Sequence, residues 1–329
     1  MQDGYGYGSV DRLRLGEMDR PVPGPGEVLV RVRAASVHPD VWHVVTGYPY
    51  LLRLMGAGLR RPHHPVPGTD LAGVVEAGGS SRFRPGDRVF GETVSGHSWR
   101  NGGAFAEFAC VPEKWLASIP DTVSFEEAAA VPALGYITLS NVPRDRLTPG
   151  ARVLVNGAAG GVGTMTVQLA KAHGAHVTAV DHPDRLDLSR AVGADETVDY
   201  TRENFTRSGR RYDLIVDIPG NHSLRACRRA LADGGRYVLI GHDGYGRAGR
   251  RLLGSVPRFA GLMLLTPFVN GLEAAPGADK AEAMAVLRGH LKAGRLIPVI
   301  DRAFELADAA EAIRYLASGS ARGRVVLTV

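Results

Sequence analysis

The stretch that most constrains this chain runs VLVNGAAGGVGTMTVQLAK, from Val153 to Lys171. Val153, Leu154 and Val155 read as a short strand buried on both faces. The strand runs into a turn, after which Met165, Thr166, Leu169 and Ala170 keep helical spacing until Gly174 stops the helix. Glycines in such a turn let the backbone bend tightly, and the free N–H groups at the helix start attract an anion. Strand, glycine turn and helix in this order predict a dinucleotide whose pyrophosphate rests on Gly157, Ala158, Gly160, Gly161, Val162 and Gly163.

The next apolar strand, HVTAVD, closes on Asp181, where a carboxylate can accept hydrogen bonds from the adenosine ribose hydroxyls. That position favours NADH over NADPH. A 2′-phosphate about 4 Å away would meet a repulsion of about 4 kcal/mol at an effective dielectric near 20. Arg185 is the nearby cation that can offset it, and both cofactors stay open as NAD(P)H. Tyr200 and Gly241 are expected at the ends of later strands on the same sheet edge, the first flanking the adenosine and the second near the nicotinamide half.

Short apolar strands at Val153–Asn156, Val177–Val180, Thr197–Tyr200, Leu214–Asp217 and Tyr237–Gly241 alternate with helical stretches. The middle of the chain is therefore an α/β unit with a doubly wound parallel sheet. Before it, Val28–Val37, Leu71–Ala77 and Arg88–Phe90 read as strands between Gly, Pro and Asp turns, and EEAAAVPALGYITLSNV after Ser124 reads as helix. Strands are expected again at Leu296–Asp301 and Arg324–Val329. At 329 residues and 44% hydrophobic, the chain has material for more than one core.

The 39 basic residues and net charge of +5 are scattered, which argues against a nucleic-acid site. No run reaches the roughly 18 apolar residues of a membrane span. Cys110 and Cys227, far apart in sequence, cannot build a disulfide framework or a cysteine zinc site. A reducing, cytoplasmic setting is expected.

The segments PGPGEVLVRVRAASVHPDVW, PVPGTDLAGVVEAGG, FRPGDRVFG, GGAFAEFACV, the glycine turn and GRLIPVIDRAFELADAAEAIRYLASGSARGRVVLTV together resemble the medium-chain dehydrogenase/reductase superfamily. Within it they look like the zinc-independent quinone oxidoreductase group. The resemblance implies a GroES-like β-rich catalytic domain from residues 1–123 and 269–329, a Rossmann domain over 124–268, a substrate cleft between them, and a homodimer. Members usually open with a further short strand before the position of Gln2. Zinc alcohol dehydrogenases of the superfamily carry their metal ligands at positions that resemble His38, Thr69 with Asp70, and Ala133; Thr and Ala cannot replace a His and a thiolate, so no zinc is expected.

The segment around His38–Tyr50 resembles the family's cleft wall. His38, His43, Tyr48 and Tyr50 are the candidate proton donors for the substrate oxygen. Asp40 either orients a His or caps the helix starting near Val41. Asp40, Trp42, Leu51, Met263, Phe268 and Asn270 are the candidate pocket, suited to a small, flat, hydrophobic substrate. The apolar run from Leu252 to Leu272 serves either the dimer or a substrate lid. Ile137 stands where relatives often have Thr near the nicotinamide. The expected activity is hydride transfer from NAD(P)H to a quinone or α,β-unsaturated carbonyl. The alternatives are a dedicated reductase or dehydrogenase of a polycyclic or polyketide-like intermediate, and a non-catalytic nucleotide-binding protein.

Overall fold

The computed structural model describes residues 6–78, 81–94, 101–241, 252–254, 256–265, 272 and 277–329, without the side chains of 55, 56, 256, 258, 259, 262 and 263. Two sheets organise it. The first contains β1 (Glu27–Val37), β2 (Asp70–Gly78), β3 (Arg88–Glu92), β4 (Phe108–Pro112), β5 (Leu116–Ser118), β11 (Ile300–Glu305) and β12 (Arg324–Thr328). Its order is β11-β12-β1-β2-β3-β5, with β4 also paired to β1, so both ends of the chain build one sheet.

The second sheet is parallel throughout, in the order β10-β9-β6-β7-β8. Its strands are β6 (Arg152–Asn156), β7 (His176–Asp181), β8 (Glu196–Asp199), β9 (Tyr212–Asp217) and β10 (Leu231–Leu239). From β6 the chain winds outward through β7 and β8, then returns to the other side of β6 as β9. That reversal opens a crevice at the carboxyl end of β6, where ligands of such sheets lie.

Alternation along β6 shows why the sheet is buried on both faces. Val153 and Val155 join a core with α3 (Pro132–Asn141), α4 (Gly161–Ala172) and α8 (Lys280–Lys292), while Leu154 joins Val180, Ile215 and Tyr237 on the other side with α6 (Leu224–Arg229). The first of these cores also takes in Ala34, Ala72 and Phe90 of the first sheet, so apolar packing runs from one sheet to the other. A separate core lies on the opposite face of the first sheet, beneath α1 (Pro39–Thr46) and α9 (Ala309–Ala317).

Several element bounds differ from the sequence expectation for local reasons. The helix expected after Ser124 is two: α2 (Phe125–Ala129), started by a capping box of Ser124 and Glu127, and α3. Pro132 lacks the N–H that would carry one helix through and crowds the preceding turn. The strand expected at Leu296–Asp301 begins only at Ile300, because Pro298 cannot donate to a ladder and Ile297 is bonded through both its N–H and C=O by the Gln168 amide. The strand expected to start at Tyr237 starts at Leu231 and ends at Leu239, short of Gly241, and β8 ends at Asp199, one residue before Tyr200. The remaining helices are α5 (Leu186–Ala191) and α7 (Val256–Leu265).

Candidate active site

At Gly161 and Gly163 the glycine turn leaves no room for a side chain. Gly157 has φ +82°, and its N–H donates to the Val180 carbonyl at 2.9 Å. A Cβ on Gly163 would lie 2.1 Å from the Gly157 oxygen, and one on Gly161 would lie 2.5 Å from Leu134 Cδ1 of α3. Gly160 is roomier, its nearest neighbour being 3.4 Å away. Gly160 is the N-cap of α4 and no side chain caps the helix, so its first N–H groups stay available to an anion. Ala158 is fully buried, and half-buried Val162 packs on the core.

Asp181 ends β7 against this turn. One carboxylate oxygen accepts the Ala159 N–H at 2.8 Å, and the other accepts the His182 N–H at 2.8 Å. The side chain thus holds the turn to the neighbouring strand. Arg185 is engaged elsewhere, donating to the Gly319 carbonyl beyond α9. Tyr200 is half-exposed, its ring 5.9 Å from that of His182. Gly241 lies where a Cβ would sit 2.7 Å from the Ile218 oxygen, and a Cβ on Gly157 would sit 3.1 Å from Pro219. The loop after β9 therefore lies between the glycine turn and Gly241.

That loop hangs on a buried network that sequence reading missed. Asn156 and Asp217 are register partners at the ends of β6 and β9. Asp217 accepts from Asn156 Nδ2 at 2.8 Å, the Gly220 N–H at 2.9 Å and the Tyr237 hydroxyl at 2.8 Å. A fully buried carboxylate at a sheet's carboxyl edge needs such donors.

The second half of the site centres on His38, Thr69, Asp70 and Ala133, which the fold brings together from β1, β2 and α3. His38 is buried, with Nε2 2.8 Å from Thr69 Oγ1, and Thr69 lies 3.2 Å from Asp70 Oδ1. The other Asp70 oxygen accepts from Ser36 Oγ at 2.9 Å, Arg324 at 2.6 Å and the Ala133 N–H at 3.3 Å. Burial pushes the His38 imidazole below its ordinary pKa, with Asp70 and Asp40 opposing the shift. His38 Nδ1 faces Asp40 Oδ2 at 3.7 Å.

Asp40 is not the helix cap. α1 starts at Pro39 with His38 as its N-cap and no side-chain capping bond, which leaves the Asp40 carboxylate beside His38. His43 Nδ1 donates to the Tyr48 carbonyl at 2.7 Å, and its ring meets Trp42 edge-on at 5.1 Å. Tyr48 and Tyr50 stack edge-on at 5.2 Å, with Tyr50 39% exposed and the Arg53 guanidinium 4.6 Å from its ring. The Leu51 N–H donates to the Leu252 carbonyl at 3.2 Å, and Gly254 packs on Pro49, so the start of the late apolar run touches this loop. Met263 lies in α7, but its side chain is outside the described residues, as are Phe268 and Asn270.

Arg324 joins the two halves. It is buried, and its Nε–H has no partner. With Ala130, Leu134, Gly161, Thr164 and Gln168 it lines a narrow slit of about 10 Å³ beside the start of α4. One strand over, Glu92 is the register partner of Asp70 and forms a buried ion pair with Lys280, the first residue of α8. Sequence reading passed over both cations because each is an isolated basic residue in a stretch of ordinary polarity.

At the positions that resemble the ligands of zinc relatives, the donor set does not suit zinc. Thr69 and Ala133 offer no soft ligand, and Asp70 is occupied by Arg324 and three other donors. Among the described residues no group of three His, Cys, Asp or Glu side chains is arranged to hold a metal ion.

A parallel sheet with a glycine turn at its reversal point, sharing an apolar core with a β-rich sheet, is an architecture suited to a dinucleotide-dependent oxidoreductase. Residues 24–121 match the alcohol dehydrogenase GroES-like domain, and residues 192–327 match the zinc-binding dehydrogenase family. The chain is 30% identical to a chloroplastic quinone oxidoreductase of Triphysaria versicolor, over 99% of this chain and 96% of that one. It is 32% identical to the 2-methylene-furan-3-one reductase of Solanum lycopersicum, over 98% of this chain and 76% of the other. A solved NAD-dependent alcohol dehydrogenase superposes with a TM-score of 0.79 at 28% identity, covering 99% of both chains. The chain belongs to the medium-chain dehydrogenase/reductase superfamily, among its quinone oxidoreductase-like members.

Proposed function

We propose that this protein reduces a quinone or an α,β-unsaturated carbonyl with NAD(P)H, preferring NADH, and that it does so without zinc. The observation that carries this reading is the chain His38–Thr69–Asp70, which stands where zinc relatives place metal ligands. Bound NAD(P)H would supply the hydride. A quinone or enone is already electron-poor and needs no Lewis acid, only a donor for the oxygen as its charge grows. The names of the two curated relatives agree with such acceptors.

The turn from Gly157 to Gly163, the open start of α4 and the unpartnered Arg324 Nε–H are suited to the pyrophosphate. Asp181 suits the ribose, with Tyr200 beside it and Gly241 towards the nicotinamide. Arg185, bonded to Gly319, is a contact between the units. Tyr48, Tyr50, His38 and His43 are the donor candidates. The Nδ1–H of His43 is spent on the Tyr48 carbonyl, which favours its role as an orienting group for the tyrosine loop. Asp40, Trp42, Leu51 and the late apolar run would form the walls for a small hydrophobic substrate.

The proposed homodimer would form through β10, the last strand of the parallel sheet, whose outer side among the described residues carries a single bridge from Tyr237 to Leu272. A cytoplasmic setting is part of this reading; neither Cys110 nor Cys227 is in a disulfide. Among the described residues no helix is long and apolar enough to cross a membrane.

The experiment follows cofactor absorbance with NADH and NADPH separately against quinones, enones and alcohols, alongside metal analysis of the purified protein. Turnover of quinones or enones with NADH, by protein lacking stoichiometric zinc and insensitive to chelator, is expected. Cofactor binding without turnover of any acceptor overturns the reading.

A further inference from the structure

Between Asp40 and Asp70, and again between Asp243 and Glu273, the chain carries seven arginines and not one Asp, Glu or Lys. The whole chain has 39 basic and 34 acidic residues, so setting these two runs aside leaves 32 basic against 34 acidic. Basic residues are spread along the chain, but their excess is not. Arg53, Arg60 and Arg61 belong to the first run, and the four arginines of the second lie outside the described side chains. Of the twelve large apolar side chains exposed among the described residues, seven fall in the same two runs: Tyr50, Leu54, Leu59, Leu252, Leu253, Leu264 and Leu265.

The fold brings the runs together at the mouth of the candidate pocket. The Leu51 N–H donates to the Leu252 carbonyl at 3.2 Å, and a Cβ on Gly254 would lie 2.7 Å from Pro49. Beyond Tyr50 the chain makes a wide helical turn over Arg53–Ala57 and folds back at Gly58, where φ is +113° and a Cβ would lie 2.2 Å from the Arg61 carbonyl oxygen. A bond of 3.2 Å from the His63 N–H to the Ala57 carbonyl closes this loop. Leu59, Arg60 and Arg61 form its tip, all three exposed. Leu54, Leu59 and Leu252 are 68–71% exposed, and α7, which follows Gly254, ends on exposed Leu264 and Leu265.

Leucines left in water among arginines without acids make two demands on a partner. The leucines gain by leaving water, and the arginines gain from phosphate, which their planar forks bind through two oxygens. An anionic phospholipid surface meets both, since the guanidinium groups stay at the headgroups while the leucines beside them reach the acyl boundary. We propose that this rim docks on an anionic phospholipid bilayer. A second copy of the chain, seated by a two-fold axis, would set the same arginines against themselves. A nucleic acid would meet the arginines and leave the leucines wet.

Docking brings the candidate pocket to the lipid, because Tyr50 stands within the rim itself. On the reductase reading given above, on which this step rests, the acceptor is a lipid-soluble quinone that enters past Tyr50 from the bilayer. The quinone takes a hydride from bound NAD(P)H and one proton from solvent. Both electrons arrive with the hydride, and the neutral hydroquinone returns to the lipid.

The test sediments the full chain with vesicles of phosphatidylcholine alone or with about one third phosphatidylglycerol, and assays a short-chain quinone in water beside a long-tailed quinone in the same vesicles. The wild type is expected to bind the anionic vesicles roughly tenfold more tightly than the neutral ones and to be released by salt. Arg60→Gln with Arg61→Gln, and Leu54→Ser with Leu59→Ser, should each weaken that binding roughly tenfold and slow the long-tailed quinone in step, with the short-chain rate unchanged. Arg228→Gln with Arg229→Gln removes the same charge from exposed positions of α6 and should bind as wild type does. No sedimentation of the wild type with anionic vesicles, or equal losses in the two arginine pairs, overturns the proposal. Rim variants that change the oligomeric state without lipid overturn it too, and make the rim a contact between copies. Long-tailed quinone turnover that does not follow binding across the variants overturns the acceptor step. Docking as expected in a protein that reduces no acceptor supports the bilayer surface and overturns the reductase reading alone.

Discussion

A Cβ placed on Gly163 would lie 2.1 Å from the carbonyl oxygen of Gly157, across the full width of the glycine turn. The start of α4 therefore rests directly on the turn that would hold the pyrophosphate. Gly163→Ala must push the helix away from Gly157, and strain of roughly 1–3 kcal/mol corresponds to a loss of about tenfold or more in cofactor affinity. Gly160→Ala, with 3.4 Å to its nearest neighbour, should bind nearly as wild type does. Titration of NADH by fluorescence reads both, and equal affinities for the two variants would contradict this account of the turn.

Asp181 holds the Ala159 N–H, and the proposed function assigns it the adenosine ribose as well. Asp181→Ser removes a charged acceptor, a change worth about 1.5–3 kcal/mol, so NADH affinity should fall roughly tenfold or more. NADPH affinity should fall far less, since loss of the charge relieves repulsion of the 2′-phosphate. Calorimetry with both cofactors checks this. A wild-type protein that already prefers NADPH would show that the inward-turned carboxylate leaves the phosphate undisturbed.

The parts of this protein that were legible in its sequence are those set by local rules. The strand at Val153, the glycines after it and the helix to Ala172 follow from periodicity and from residues that only one backbone path accommodates. Asp181 was visible because it ends the next apolar strand. Asp217, Glu92, Lys280 and Arg324 were not, since what matters about each is a partner dozens to hundreds of residues away: Arg324 and Asp70 are 254 positions apart, Lys280 and Val94 are 186 apart. No spacing rule reports such pairs. The bound of β11 was missed for a similar reason, because Gln168 on α4 takes the backbone groups of Ile297.

His38 gives the protein a predictable acid limb. Burial holds its folded pKa below the ordinary 6.5, so the unfolded chain takes up a proton where the folded chain does not. Stability from this group is present above 6.5 and is lost as the pH falls towards the folded value. His38→Asn removes the titration while keeping a group able to meet Thr69. Thermal melts below the histidine midpoint should therefore decline more shallowly with acid in His38→Asn than in wild type. Parallel declines would mean that His38 is protonated in the native state.

Arg324 separates structural from functional roles in one residue. Its guanidinium pairs with Asp70 and Ser36 through one nitrogen, while Nε is buried without a partner and the residue lines the slit beside Gly161. Arg324→Met leaves Asp70 buried without its cation, and loss of a buried pair costs about 3–5 kcal/mol, so a large drop in Tm is expected. Arg324→Lys keeps a cation for Asp70 but has no planar fork and no Nε–H. Its Tm should stay much closer to wild type while NADH affinity falls roughly tenfold, the loss of one charge-assisted bond to an anion. Melts and cofactor titrations on the same two variants decide the point: if Arg324→Lys binds NADH as wild type does, the open Nε–H is no part of the pyrophosphate site and Arg324 serves only to balance Asp70.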